Sequence, residues 1–178
     1  MTLNQDKLCL VVPSMAYEGQ LLDYKRETLA IEDEMAGDAG LDTTETVAEW
    51  LERLSRCAHP DTCPAGMVPA STYLCVRSRD DRLVGLVDIR HRLNDNLLKS
   101  GGHIGYSIRP DERGKGYAKL QLLLALDKCR SLGISPVLIT CAADNEASKR
   151  TIVACGGVLD DMRISHEGRH TLRYWISL

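Results

Sequence analysis

The chain has no phenylalanine and only two tryptophans. Its core must therefore be built from Leu, Val, Ile, Cys and a few Tyr and Trp side chains. No apolar run approaches the roughly 18 residues needed to cross a bilayer. The N-terminus also lacks a basic stretch followed by a long apolar segment. Both absences point to a cytoplasmic protein with no membrane partner. An excess of positive charge is missing too, since the formal charge is -3. That argues against nucleic acid as a main partner, because phosphate binding favours a basic face. The cysteines, Cys9, Cys57, Cys63, Cys75, Cys129, Cys141 and Cys155, are odd in number and form no Cys-x-x-Cys pair. They read as reduced core thiols rather than as a disulfide framework or a metal site.

What remains is ordinary globular material, 44% hydrophobic and 26% charged over 178 residues, enough for one domain spanning 1–178. Leu8 to Val12, stopped by Pro13, reads as a strand. Met15 to Asp33 has helical spacing, with Leu21, Leu22, Tyr24, Lys25 and Leu29 on one face. Thr44 to Ala58 follows as a second helix, carrying Val47, Trp50, Leu51 and Leu54 on its apolar stripe. His59 to Pro69 is loop. Ser71 to Arg77 and Leu83 to Arg90 are strands about a turn, and Asn94 to Gly102 is a connection with Leu97 and Leu98 buried at its centre. His103 to Ile108 is extended, Leu120 to Arg130 helical, and Val137 to Cys141 a short strand. A helix opens near Asn145 and closes at Gly156-Gly157, before a terminal hairpin of Val158 to Ser165 and Thr171 to Ser177. This order predicts an α/β (α+β) fold, a mixed and mostly antiparallel sheet with helices on both faces.

The most informative stretch is Arg113-Gly114-Lys115-Gly116-Tyr117-Ala118, between a strand and a helix. Glycines let the backbone approach an anion, and the first helical N–H groups have no partner inside the helix. The helix dipole adds to their attraction for a pyrophosphate. A Walker loop needs Ser or Thr after its lysine, and Gly116 stands there. A dinucleotide fingerprint needs a third glycine, and Lys119 stands there. The pattern that remains, Arg, two residues, Gly, one residue, Ala, is met by Arg113, Gly116 and Ala118. It resembles the acyl-CoA pyrophosphate loop of the GNAT N-acetyltransferase superfamily. The likeness extends over residues 82–178 in the order of elements. The whole chain, including Gly101-Gly102-His103-Ile104-Gly105-Tyr106, resembles a bacterial acetyltransferase branch of unassigned substrate.

The resemblance implies a GNAT-like sheet splayed between strands 4 and 5, with acetyl-CoA as co-substrate. Backbone groups of Tyr106, Ser107 and Ile108 would meet the pantetheine arm and the acetyl carbonyl. Arg109, Arg113, Gly114, Lys115, Gly116, Tyr117 and Ala118 would form the phosphate end, with Lys119 either a second phosphate partner or solvated. Asn145 would touch the pantetheine arm. Gly105 suits a bulge or a close backbone approach.

Acetyl transfer to an amine needs a neutral amine, yet a lysine-like amine is neutral in only about one molecule in 2,500 at pH 7. It also needs a preorganised donor for the oxyanion and a proton for the departing thiolate. His103 is the candidate base, with a water relay or no residue base as alternatives. Tyr106 is the candidate donor. Many members carry an acid tyrosine seven residues after the helix-opening asparagine, and here that position is Ile152. Ser148 could orient or protonate the sulfur, or simply cap its helix.

His166-Glu167-Gly168-Arg169-His170 satisfies a zinc-peptidase motif, but Gly168 opposes a helix there and Leu172, Tyr174 and Ile176 alternate as a strand. A hairpin tip is the better account, and no metal is expected. The resulting reading is acetyl transfer to a primary amine of a small molecule or peptide by direct attack in a ternary complex. A homodimer is compatible with it. The rivals are a non-catalytic acyl-CoA-binding module and a nucleotide-binding domain of another kind. Acceptor choice would lie with the first two helices, His59 to Pro69, and Asn94 to Gly102.

Overall fold

A computed structural model describes residues 6–31, 35–164 and 168–178. Its strands are β1 (Leu8–Val11), β2 (Ala70–Arg77), β3 (Arg82–Arg90), β4 (Ile104–Ile108), β5 (Val137–Ala142), β6 (Val158–Ile164) and β7 (His170–Ile176). Its α-helices are α1 (Glu18–Leu29), α2 (Val47–Cys57), α3 (Tyr117–Ser131) and α4 (Glu146–Ala154). The strands form two sheets, ordered β1-β2-β3-β4 and β5-β7-β6, and every pairing is antiparallel. The split falls between β4 and β5, as the family resemblance implied.

Both faces of the first sheet are covered, because successive strand side chains point to opposite sides. Leu74 and Val76 of β2 pack with Leu21 and Tyr24 of α1 and with Val47 and Trp50 of α2. Cys75, between them, faces the other way, with Tyr117 of α3. Val87 and Ile89 of β3 join Leu122, Ala125 and Leu126 of α3 and Ile152 of α4 in the largest cluster. Helix α2 starts where Thr46 and Glu49 make a reciprocal capping box. Among the described residues, no helix is long and apolar enough to cross a membrane.

Three local expectations need correction. The first helix begins later than its apolar spacing suggests, after a 3-10 turn at Met15–Tyr17. Its buried face is Leu21, Tyr24 and Thr28, while Leu22 and Leu29 lie outward. The connection before β4 contains a π-helical turn at Leu97–Gly101, capped by Asn94, and Leu98 is 43% exposed rather than buried. The wider turn rotates Leu98 outward and leaves Leu97 half-buried. All seven cysteines are free thiols, with Cys57, Cys75, Cys129 and Cys141 buried.

Candidate active site

The site is the wedge where the sheets part. β4 bonds to β3 through alternate residues, since Arg90 N–H donates to His103 O and Arg109 N–H to Val84 O, each at 2.8 Å. Such bonds recur at every second residue of an antiparallel pair. The backbone groups of Ile104, Tyr106 and Ile108 therefore face away from β3, into the wedge, and none of the described strands pairs there. The Ile108 carbonyl accepts from Arg113 Nε at 2.9 Å. Among the described residues, no backbone group bonds to the outward N–H and C=O of Tyr106. The backbone of Ser107 lies on the β3 side, and its hydroxyl accepts from Tyr24 at 2.8 Å.

His103 closes the corner of the wedge. Its N–H donates to Leu138 O at 2.7 Å, and its Nδ1 accepts from Leu138 N–H at 2.9 Å. The ring thus does for β5 what a neighbouring strand would do. It is buried, and burial and the nearby Arg90 charge hold its pKa below the ordinary histidine value. His103 is absent from the cleft wall, so the residue expected as a base is a joint between sheets.

The glycine-bearing loop lies at the other end of β4. Gly114 and Gly116 have φ of +75° and +83°, and a Cβ on either would meet nothing within 4 Å. Both line the cleft, so this is an open cradle at the start of α3, whose first N–H groups are free of helical partners. Tyr117 contributes backbone here, while its side chain is buried and its hydroxyl meets Arg77 and Asp6. Ala118 and Lys119 also line the cleft.

Two expected phosphate partners are occupied elsewhere. Arg109 makes two 2.7 Å hydrogen bonds to Glu27 of α1, which hold that carboxyl below its usual range. Lys115 donates to buried Glu112 at 2.8 Å, and Glu112 also receives Arg77 at 2.8 Å and Arg82 at 2.6 Å. Burial alone would raise the Glu112 pKa, but the bonds from Lys115, Arg77 and Arg82 overcome it and the carboxyl sits low. Neither Arg109 nor Lys115 lines the cleft, whereas Lys119 does.

Across the wedge, the Tyr106 hydroxyl shares a 2.9 Å hydrogen bond with Ser148 Oγ. Burial pushes the Tyr106 pKa up to about 12, so the phenol keeps its proton. Asn145 caps α4 by accepting from Ser148 N–H at 3.0 Å, which leaves the Ser148 hydroxyl for Tyr106. Ile152, at the position of the family tyrosine, is wholly buried in the core. The phenol that meets α4 in the wedge is that of Tyr106, on β4. Cys141 also lines the cleft, but burial raises its pKa and disfavours a thiolate.

Residues of α2, of the loop before β2 and of the Asn94 to Gly102 connection line the wide end of the cleft, but sequence reasoning missed Asp88 of β3, which is buried yet lines the wall there. It accepts from Thr72 Oγ at 2.8 Å and pairs with Arg90 Nε at 3.0 Å. Its signal was an aspartate inside the apolar run Leu83 to Ile89. Gly37, with φ +72°, packs on β4 so closely that a Cβ would lie 2.4 Å from Gly105 O. Gly105 in turn leaves room for the Arg90 guanidinium, 3.1 Å from where its Cβ would be. The whole cleft measures about 1160 Å³, more than the roughly 300–1,000 Å³ of a single-ligand pocket. It has room for two substrates.

Among the described residues, no group of three or more His, Cys, Asp or Glu could hold a metal ion. His166 and Glu167 lie outside the described residues, and His170 opens β7.

Residues 27–158 match the acetyltransferase (GNAT) domain, so the chain belongs to that family and is an acetyl-CoA-dependent acyltransferase. No curated protein matches the sequence. The fold is similar to that of the microcin C7 self-immunity acetyltransferase MccE, solved with acetyl-CoA and AMP (TM-score 0.72, 17% identity, 100% of this chain and 96% of that one). It is also similar to the ribosomal-protein-S5-alanine acetyltransferase from Vibrio fischeri (0.71, 14%, 99% and 95%). A third likeness is to the spermidine N-acetyltransferase from Vibrio cholerae (0.65, 17%, 97% and 94%). The residues present fit acetyl-CoA: the cradle at Gly114 and Gly116 would fill only if a side chain entered it, and the outward edge of β4 is unpaired.

Proposed function

We propose that the protein acetylates a primary amine by direct attack in a ternary complex. The observation that carries this reading is the open glycine cradle leading onto the unpaired edge of β4 in a cleft with room for a second substrate. The backbone N–H groups at Gly114, Gly116 and the first turn of α3 would hold the pyrophosphate, with Lys119 as the cation facing it. The outward backbone of Tyr106 would hold the pantetheine arm and the acetyl oxygen, and Asn145 would border the arm.

Acetyl-CoA supplies the acetyl thioester, whose carbon bonds the amine nitrogen as its bond to sulfur breaks. The balance is an ammonium and a thioester converted into an amide, a thiol and one released proton. Tyr106 and Ser148 form a neutral hydroxyl pair at the narrow part of the wedge. Tyr106, near 12, is a weaker acid than a thiol at about 8.5, so full proton transfer to a thiolate would be uphill by roughly 5 kcal/mol. Its role is to donate a hydrogen bond to developing negative charge, and the thiol's proton comes from the amine. The raised pKa of Cys141 supports direct transfer over an acyl-enzyme.

An amine panel with acetyl-CoA, scored by thiol release and product mass, tests the reading. Thiol release without any acetylated amine would overturn it. Tyr106→Phe is expected to lower kcat about 100-fold and to change KM little. An equal loss in KM with kcat intact would make Tyr106 a packing residue.

A further inference from the structure

The wide end of the cleft carries one guanidinium that, among the described residues, has no carboxylate partner. Asp88 is balanced by Arg90, whose Nη1 also donates to Gly101 O at 3.2 Å. The Asp38 carboxylate is turned inward, accepting from Asp42 N–H at 2.8 Å. Arg53 of α2 lines the same wall and is half-buried, yet among the described residues it meets neither carboxylate nor carbonyl. Other half-buried or buried arginines of the chain, such as Arg77, Arg82, Arg90 and Arg109, each hold a carboxylate.

The Arg53 guanidinium is also held in place. It lies on the bare Cα of Gly40: a Cβ there would fall 2.3 Å from Nη1, 2.7 Å from Cζ and 2.9 Å from Nη2. Gly40 has φ +84°, and the turn around it is tied down. Thr44 Oγ donates to Gly40 O at 2.6 Å, and Trp50 Nε1 donates to Asp38 O at 2.9 Å. A flat, seated guanidinium whose donors meet no acceptor among the described residues matches the planar fork that a carboxylate or phosphate accepts. Arg53 and Asp88 both lie near enough to Cys57 to act on its thiol in opposite senses. They therefore share one region of the wall.

Resting on the acetyl-transfer reading, we propose that the acceptor is an amine carrying a carboxylate or phosphate, with Arg53 binding the anion. Asp88 faces the ammonium end. Each of its oxygens has one protein donor and a lone pair to spare. The same feature disfavours a polyamine, whose second cation would meet the Arg53 guanidinium.

The test is calorimetry on the coenzyme A complex, with O-phosphoethanolamine, β-alanine, ethanolamine and spermidine as probes. One or both anionic amines are expected to bind at least about 30-fold tighter than ethanolamine, the typical worth of a charged bidentate contact. The phosphate and carboxylate arms show which anion is preferred. Arg53→Gln is expected to bring that ratio close to one, and Arg53→Lys to restore part of it. Gly40→Ala, which unseats the guanidinium, should narrow the ratio without removing the charge. Equal binding of ethanolamine and both anionic amines, or preferred binding of spermidine, would overturn the proposal. An equal loss for all probes in Arg53→Gln would overturn it as well. Tight binding of an anionic amine with no acetylation of any amine would instead refute the acetyl-transfer reading and leave the anion site standing.

Discussion

Replacing Gly116 by valine is expected to weaken coenzyme A binding at least about 100-fold in calorimetry. Two effects add. Gly116 sits at φ +83° as the residue that opens α3, and a β-branched side chain in the left-handed region costs about 1–3 kcal/mol. The chain escapes that cost by rotating the peptide, which turns the N–H groups away from the cradle. The added side chain also projects into open space that the cleft lines. Since its Cβ would meet no protein atom within 4 Å, the fold should survive, and far-UV circular dichroism should be unchanged. Retained affinity in a folded variant would contradict the assignment of the loop. Gly114→Val, open in the same way, is the companion test.

Glu112→Ala is expected to destabilise the protein by about 3–5 kcal/mol, the usual cost of stripping the partner from buried charge. One carboxylate with a 4% exposed side chain holds Arg77, Arg82 and Lys115 together at the entrance to the loop. Its loss leaves the nearly buried Arg77 with Asp80 as its one carboxylate among the described residues, beside the Tyr117 hydroxyl. In a chain of this size the melting temperature should fall by roughly 10 °C. The pH dependence fixes the cause. The folded Glu112 pKa lies below its unfolded value, so its contribution is complete above the ordinary carboxylate range. It is lost as pH falls through the lowered pKa. The gap between wild type and variant should therefore be widest near neutrality and close in acid. A gap independent of pH would mean that lost packing, not charge, is responsible.

The readable parts of the site were those that short-range chemistry settles. Gly114 and Gly116 are glycines because their φ is positive, and the first turn of α3 lacks partners whatever surrounds it. Asn145 before Ser148 is a local cap, visible as such. Other assignments depended on what lies across the wedge. Lys115 and Arg109 look like phosphate ligands until the neighbouring Glu112 and the distant Glu27 claim them. His103 has the right chemistry for a base, but it stands where β4 loses its second neighbour, and its ring supplies the missing acceptor. Tyr106 and Ser148 are 42 positions apart, on β4 and α4, and only the tertiary fold brings them together. Arg53, without a carboxylate partner among the described residues, had no sequence signal, because a helical arginine is ordinarily solvated.

Above a core that both sheets share, the backbone of β4's edge is tied to β5 at one corner, through Leu138 and His103. A guest lodged along the gap would brace them as a keystone braces an arch. Heat resistance would then rise with the concentration of that guest, and the empty protein would be the softer of the two forms.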